Sequence, residues 1–211
     1  MHIFSYKMEH DLGLAPNPFW GVISLAVCKG QIRNNRNLHI GDWIIGTGGK
    51  SMGYEGRLIF AMKVERKITF DEYWLSPEYE CKRPVINGTL VQMYGDNFYH
   101  TGQNGVVKQE KSAHNLKDGS TNQYLCDRDA RGKYVILSKT FYYFGDAAPI
   151  IPSSLDSICC KARDYQYKKH SIEVKTRFLK WLKNNFTMGI HGDPITWKEY
   201  NLNKLNLYSE I

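Results

Sequence analysis

The sequence lacks the features that would direct it into or across a membrane. No run of apolar residues approaches the roughly 20 that a helix needs to cross a bilayer. The first residues, Met1 to Tyr6, have neither the charged nor the apolar region of a secretory signal peptide. We therefore expect a cytoplasmic protein with no membrane partner.

Cysteine is also scarce, and its spacing argues against two classes of small protein. The five cysteines include no C-x-x-C pair, and two of them, Cys159 and Cys160, are neighbours in the sequence. An odd number without such pairs indicates neither a disulfide framework nor a zinc knuckle. No other metal-ligand spacing stands out, so the sequence predicts no metal and no cofactor. The cysteines are expected to be buried or half-buried free thiols.

What the chain has in excess is positive charge. Its 211 residues include 28 lysines and arginines against 21 acidic residues, which gives a formal net charge of +7. A basic protein favours an anionic partner, so we expect a nucleotide or a nucleic acid. At this length, with 42% hydrophobic residues, the chain is expected to be one domain, or one domain with an appendage.

Glycine is concentrated in one stretch, Gly46 to Gly53, which lies between two apolar segments. We expect those segments to be strands, because both are rich in strand-forming apolar residues. A glycine-rich loop between them can turn its backbone N–H groups towards an anion. Together with Lys50, and with Lys29 and Arg33 from an earlier connection, the loop predicts a phosphate site. The alternative is a β-hairpin whose long turn only needs positive φ angles.

Two further loops carry polar side chains in settings that suggest ligand contacts. Asn17 lies between two prolines that hold it in an extended conformation, and its amide is suited to pairing with the edge of a base. In the run from Tyr94 to His100, a Gly-Asp-Asn turn opens into aromatic residues. Asp96 in this turn is a candidate general base, with His114 or His100 carrying a proton near neutral pH. For both loops the alternative is ordinary turn chemistry.

Local patterns predict two helices. Thr69, with Glu72 three residues later, forms a capping box and predicts a short helix that carries two aromatic residues. Apolar residues between positions 171 and 186 recur at helical spacing, so we expect an amphipathic C-terminal helix with a basic, solvent-exposed face. Such a basic face is more often solvated than bound to nucleic acid. A further short helix is expected near Trp197.

Five motifs occur in an order that resembles one known family. They are A-P-N-P-F (15–19), G-D-W-I-I-G-T-G (41–48), F-D-E-Y-W (70–74), Y-G-D-N-F-Y-H (94–100) and Y-F-G (143–145). Together they resemble the nucleotide modification associated domain family, type two, over residues 1–152. This family is assigned to phage and bacterial systems that modify, process or discriminate nucleotides and DNA bases. The sequence departs from the family pattern at Gly49-Lys50, where a serine or another small residue is expected beside the lysine.

The resemblance implies a set of functional positions. Transferred position by position, they are Asn17, Lys29, Arg33, Asp42, Thr47, Gly48, Asp71, Asp96, Asn97, Tyr99 and His114. In the resulting site the basic residues, with Lys50, hold phosphate, while Asn17 and Tyr99 read the base. Asp96 and His114 are the catalytic candidates, and no metal is implied.

The Gly41-Asp42 pair at the start of a buried strand also resembles PUA-type domains such as EVE and ASCH. Those domains hold a base or nucleotide beside a partial barrel. We therefore expect an α+β fold, with a curved, mostly antiparallel sheet or partial barrel and flanking helices. Residues 1–152 are expected to form the nucleotide modification domain, and residues 153–211 a helical extension packed on it. The predicted function is binding, with or without processing, of a nucleotide or modified nucleobase in phage or bacterial DNA modification or defence. The alternative is a non-catalytic module that recognises nucleic acid or a modified base.

Overall fold

The computed structural model describes residues 1–161 and 164–198. In chain order, the strands and helices are β1 (Ile3–Met8), β2 (Ile23–Leu25), α1 (Gly30–Arg33), β3 (Trp43–Gly48), β4 (Leu58–Lys63), β5 (Arg66–Thr69), α2 (Phe70–Leu75), α3 (Leu90–Met93), β6 (Tyr99–Thr101), β7 (Val107–Gln109), α4 (Gln123–Ala130), β8 (Tyr134–Ser138), β9 (Phe141–Tyr143), α5 (Ile172–Asn185) and β10 (Gly189–Ile190). Short 3-10 turns cover Lys50–Met52, Pro77–Lys82, Gly145–Ala147 and Ser153–Ile158.

The chain divides into two compact units that alternate along the sequence. Unit 1 comprises residues 1–12, 43–62 and the described part of 141–211, and unit 2 comprises residues 13–42 and 63–140. Helices and sheets occur in both units, so the fold is α+β, and none of the three sheets in the described residues closes into a barrel. The end of the predicted C-terminal extension, with most of the short helix expected near Trp197, lies outside the described residues.

Unit 1 is built on a five-stranded sheet with the order β1-β3-β4-β9-β10. β1 pairs with β3 in parallel, with Ile3 opposite Trp43, and β9 pairs with β10 in parallel. β4 and β9 are antiparallel. This sheet is therefore mixed, where the sequence predicted a mostly antiparallel one. A parallel pair needs a long connection between its strands, and residues 9–42 provide it for β1 and β3.

Helix α5 belongs to unit 1. It begins after Ser171, whose hydroxyl accepts a hydrogen bond from the Val174 N–H. Phe178 and Leu182 on one face are fully buried, while Lys180 and Lys183 are exposed. The buried face packs against the 3-10 turn at Ser153–Ile158. No helix in the described part of the chain has both the length and the apolar character to span a bilayer.

Unit 2 holds a three-stranded antiparallel sheet, β2-β8-β5, and a separate hairpin of β6 and β7. The capping box at Thr69 and Glu72 forms as the sequence predicts, with both of its hydrogen bonds present at the start of α2. Helix α4 begins after Asn122, whose side chain accepts a hydrogen bond from the Leu125 N–H.

The glycine-rich stretch begins as strand and continues as a 3-10 turn. Gly46, Thr47 and Gly48 form the end of β3 and are buried, and Lys50 begins an exposed 3-10 turn. A Cβ on Gly48 would overlap the Tyr54 carbonyl oxygen, and one on Gly46 would overlap the Phe60 ring. The structure therefore uses these two glycines for close packing inside unit 1, where the sequence predicted an open anion-binding loop.

We expect Gly48→Ala to lower the free energy of unfolding by about 3 kcal/mol, because overpacking against backbone atoms forces the strand to shift. Urea denaturation measures this change. Lys50→Ala is the control, since the side chain is exposed and its removal should alter stability by no more than about 0.5 kcal/mol. Equal stability of the two variants would contradict the packing role of Gly48.

Candidate functional site

The turn after β2 holds Cys28 in an unusual backbone conformation. Cys28 and Lys29 have φ angles of 54° and 38°, which non-glycine residues rarely adopt. Each such residue costs about 1–2 kcal/mol, so the surrounding structure has to stabilise the turn. The Cys28 N–H donates to Asp129 Oδ1 at 2.9 Å, and the Cys28 carbonyl accepts from Arg33 Nε at 2.8 Å. Both peptide groups of Cys28 are thus fixed, and its thiol is half-buried.

The Asp129 carboxylate, fully buried on α4, is the centre of this arrangement. Oδ1 accepts from the Cys28 N–H and from Arg128 Nε at 3.1 Å. Oδ2 accepts from the Tyr99 hydroxyl at 3.4 Å and lies 3.1 Å from His114 Nδ1. Burial alone would raise the pKa of Asp129, but the hydrogen bonds from His114 and Arg128 bring it below its ordinary value. Asp129 is therefore a charged group at neutral pH.

His114 lies between this carboxylate and the Cys28 thiol. Burial acts to lower the pKa of His114, but the close approach of Asp129 and Cys28 outweighs burial and raises it to about 9. The imidazole is therefore protonated at neutral pH. The thiol sulfur, an imidazole nitrogen and a carboxylate oxygen all lie within 4.8 Å of one another.

A second cation faces the sulfur. Arg128 Nη2 lies 3.3 Å from Cys28 Sγ. Positive groups beside a cysteine stabilise its thiolate, which is the nucleophilic form. A nucleophile, a proton-transferring base and a carboxylate that orients the base are the parts of a catalytic triad. The cluster of Cys28, His114, Asp129 and Arg128 therefore has the chemistry of a thiol nucleophile, and we call it the thiol cluster.

Arg33 stabilises the backbone that carries the thiol cluster. Its guanidinium is fully buried and donates to three backbone carbonyls: Cys28 at 2.8 Å, Tyr134 at 2.6 Å and Asp129 at 2.8 Å. Burial lowers the pKa of Arg33 to about 10, with the Asp129 carboxylate acting in the opposite direction, so the group is still charged at neutral pH. The sequence predicted Arg33 as a phosphate ligand, but its guanidinium is taken up by these carbonyls.

Cys28, His114 and Asp129 are also residue types that hold zinc, and three such ligands leave a fourth position open for a substrate. The charged groups around the thiol cluster argue against zinc binding there. Asp129 Oδ1 already accepts hydrogen bonds from the Cys28 N–H and from Arg128, so a positive charge lies at the site where a cation would bind. A divalent ion would have to displace these donors, whereas a thiolate gains from them.

The Asn17 and Asp96 motifs meet elsewhere in unit 2, around a buried lysine. Lys82 Nζ donates to Asn17 Oδ1 at 2.6 Å and to the Asn17 carbonyl at 3.1 Å. The Asn17 amide in turn donates to the Tyr94 carbonyl at 3.0 Å. Burial lowers the pKa of Lys82 to about 8, while the charge of Asp96 acts to raise it. Asn17 is thus engaged with protein groups and is fully buried.

Asp96 and Asn97 complete this network. Asp96 Oδ1 accepts from the Tyr73 hydroxyl at 2.8 Å, and burial raises the pKa of Asp96. The Asn97 amide donates to the carbonyls of Tyr73 and Tyr79 at 3.1 and 3.0 Å. Both side chains are at most 1% exposed. Of the two catalytic candidates, His114 contacts Asp129, and Asp96 contacts Tyr73.

The remaining predicted positions are spread over the two units. Thr47, Gly48 and Lys50 belong to unit 1. In unit 2, Asp71 accepts from the N–H and hydroxyl of Thr101, both at 2.6 Å. The residues that the structure brings to the thiol cluster are Lys29, Arg33, Tyr99 and His114.

Sequence reasoning missed Cys28, Arg128 and Asp129. Cys28 and Asp129 lie 101 positions apart in the sequence, so no local motif links them. The only local signal is the order of elements, in which a cysteine follows a strand and precedes a glycine and a short helix.

The family model described as nucleotide modification associated domain 2 matches residues 1–201. The match runs past residue 152, where the resemblance drawn from the motifs ended, and takes in α5. No curated protein and no solved structure shows significant similarity to the chain.

The raised pKa of His114 predicts a pH-dependent contribution to stability. Between its ordinary value of 6.5 and about 9, the folded chain holds a proton that the unfolded chain releases. The contribution is therefore complete below pH 6.5 and is lost as pH rises through about 9. We expect the difference in unfolding free energy between the wild type and His114→Asn to shrink by about 3 kcal/mol over this range.

Urea denaturation at a series of pH values tests this expectation. Lys82, whose pKa is about 8, titrates in the same range, but it does so in both proteins and cancels in the difference. A wild-type-minus-variant difference that stays constant with pH would show that His114 is not held as a cation by Asp129.

Proposed function

The chain belongs to the nucleotide modification associated domain 2 family, and we propose that it binds a nucleotide or a modified nucleobase and modifies it with Cys28 as nucleophile. The observation that supports the proposal is the thiol of Cys28 lying against His114, which is paired with the buried Asp129. The setting we propose is phage or bacterial DNA modification or defence, acting on nucleotides or DNA in the cytoplasm.

Each residue of the thiol cluster has one role in this proposal. The Cys28 thiolate attacks an electrophilic carbon of the substrate and forms a C–S bond. The electron pair displaced from that carbon moves to a substrate heteroatom, which takes the proton from the His114 imidazolium. Asp129 keeps the imidazole oriented and charged, and Arg128 stabilises the thiolate before attack. In the second step a water molecule attacks the same carbon and gives its proton to the now neutral His114, while the C–S bond breaks and its electron pair returns to sulfur as the thiolate.

Binding of a nucleotide is supported by charge. The chain carries a net charge of +7, and Lys29 directly follows Cys28 in the same turn. A lysine beside the nucleophile is suited to contact a phosphate of the substrate. Of the predicted phosphate contacts, we therefore keep Lys29 in this proposal. A PUA-like relation between a curved sheet and a base-binding pocket stays a prediction from the sequence.

A non-catalytic module that recognises nucleic acid is the second candidate. The exposed cations of α5, among them Lys180 and Lys183, favour it, because neutralising several phosphates drives polymer binding. Such a module would bind long nucleic acids more tightly than mononucleotides, and its affinity would fall steeply with salt. Cys28 would then have no effect on the measured activity.

Replacing the thiol separates the two candidates. We expect Cys28→Ala to reduce substrate modification by about three orders of magnitude or more, because loss of a nucleophile removes the covalent step. A panel of nucleotides and DNA oligomers, analysed by mass spectrometry, provides the activity measurement. Nucleotide binding, followed as a rise in melting temperature, should persist in the variant.

The matched control is Cys81→Ala, which removes an exposed cysteine outside the thiol cluster and should retain full activity. Activity retained in Cys28→Ala would eliminate Cys28 as the nucleophile. If neither Cys28→Ala nor Cys81→Ala modifies any substrate and both bind DNA with strong salt dependence, the non-catalytic module is the better explanation.

A further inference from the structure

A groove of about 750 Å³ lies in unit 2, with walls formed by the β6–β7 hairpin and by α4 with the residues just before it. Its lining is rich in carboxamides and hydroxyls: Gln103, Asn104, Gln109, Gln123, Thr101 and Thr121. None of the described residues that line it is acidic. Lys108 contributes a cation and pairs with Glu110 at 2.6 Å. The groove is therefore polar and does not repel an anionic ligand.

Gln109, one of the residues that line this groove, has an unmet hydrogen-bonding requirement. Its side chain is only 6% exposed, and Oε1 has no hydrogen-bond partner among the described residues. Nε2 donates to Asn115 Oδ1 at 3.2 Å and to Ser112 Oγ at 3.4 Å. Reversing the amide would bring two carbonyl oxygens together, so these contacts fix which end is the acceptor. A buried acceptor left unpaired is costly, which points to a donor supplied by a ligand.

The groove adjoins the thiol cluster through three links. Gln109 is the cross-strand partner of Tyr99, whose hydroxyl contacts Asp129 at 3.4 Å. Cys126 lines the groove one helical turn before Asp129 on α4. Ser112 Oγ, which accepts from Gln109, also accepts from the His114 N–H at 3.3 Å.

We propose that this groove binds the base of the substrate, with Gln109 Oε1 accepting a hydrogen bond from an N–H group on the edge of the base. The inference rests on the proposed function and adds to it the place and the orienting contact of the substrate. Every nucleobase carries such a donor, and a carboxamide can pair with the edge of a base through both its donor and its acceptor. The other carboxamides and threonines of the lining supply further donors and acceptors, which select among bases.

The test is binding of the four ribonucleoside and four deoxyribonucleoside monophosphates, measured by calorimetry for wild type, Gln109→Met and Thr121→Phe. Gln109→Met keeps the length of the side chain and removes the acceptor. Thr121→Phe fills the groove from an exposed position and leaves Gln109 in place. We expect Kd to rise about tenfold or more in each variant, as for loss of a buried hydrogen bond or of binding volume. Gln31→Met, exposed on α1 and outside the groove, is the matched control and should bind as wild type does.

The rate at which iodoacetamide alkylates Cys28 serves as a check on the thiol cluster. It should be the same in all variants, so weaker binding with unchanged alkylation supports the groove as the base site. Wild-type affinity in both Gln109→Met and Thr121→Phe overturns the groove and leaves the role of Cys28 intact. If the wild type binds none of the eight nucleotides, the proposed function and the groove both fail.

Discussion

One buried carboxylate, that of Asp129, connects the separate segments of unit 2 that form the thiol cluster. Its two oxygens contact the backbone of the Cys28 turn, the Tyr99 hydroxyl at the start of β6, His114, and the neighbouring Arg128. A fully buried charge is tolerated only when such partners replace water. The same contacts that make the carboxylate tolerable therefore bring a thiol and an imidazole together.

The charges around Asp129 do not cancel, and the imbalance has a chemical consequence. Arg33, Arg128 and His114 are positive at neutral pH, while Asp129 is the one carboxylate among them. In a site of low dielectric, an excess of positive charge favours whatever carries negative charge nearby. The proposed function uses this excess of positive charge twice, for the attacking sulfur of Cys28 and for an anionic substrate.

The sequence predicted those parts of the fold that depend on neighbours in the chain. The capping box at Thr69 and the buried strands β3 and β4 are encoded by residues only a few positions apart, so pattern and propensity are sufficient. The glycines of β3 show the limit of this reasoning. A glycine needed for a positive φ and one needed for close packing have the same sequence signature, and only the position of Tyr54 beside Gly48 distinguishes them.

The thiol cluster could not be predicted because its residues lie close together in space but far apart in the sequence. His114 and Tyr99 were found through resemblance, but their partner Asp129 sits in a helix that local patterns did not indicate. Asp96 was expected to act with His114 or His100 because its Gly-Asp-Asn turn opens into aromatic residues and a histidine. Its burial depends on Lys82 and Tyr73, which come from other parts of the sequence.

The Lys82 network also connects the buried residues of the motifs to the proposed site. Asn97 is held by two backbone carbonyls, and Tyr99 begins β6 two residues later. The network therefore fixes where β6 starts, and with it the register that sets Tyr99 opposite Gln109. Tyr99 then meets Asp129, while Gln109 lines the groove. In this arrangement the buried polar residues Asn17, Asp96 and Asn97 of the two motifs hold the backbone that leads to the residues of the proposed site.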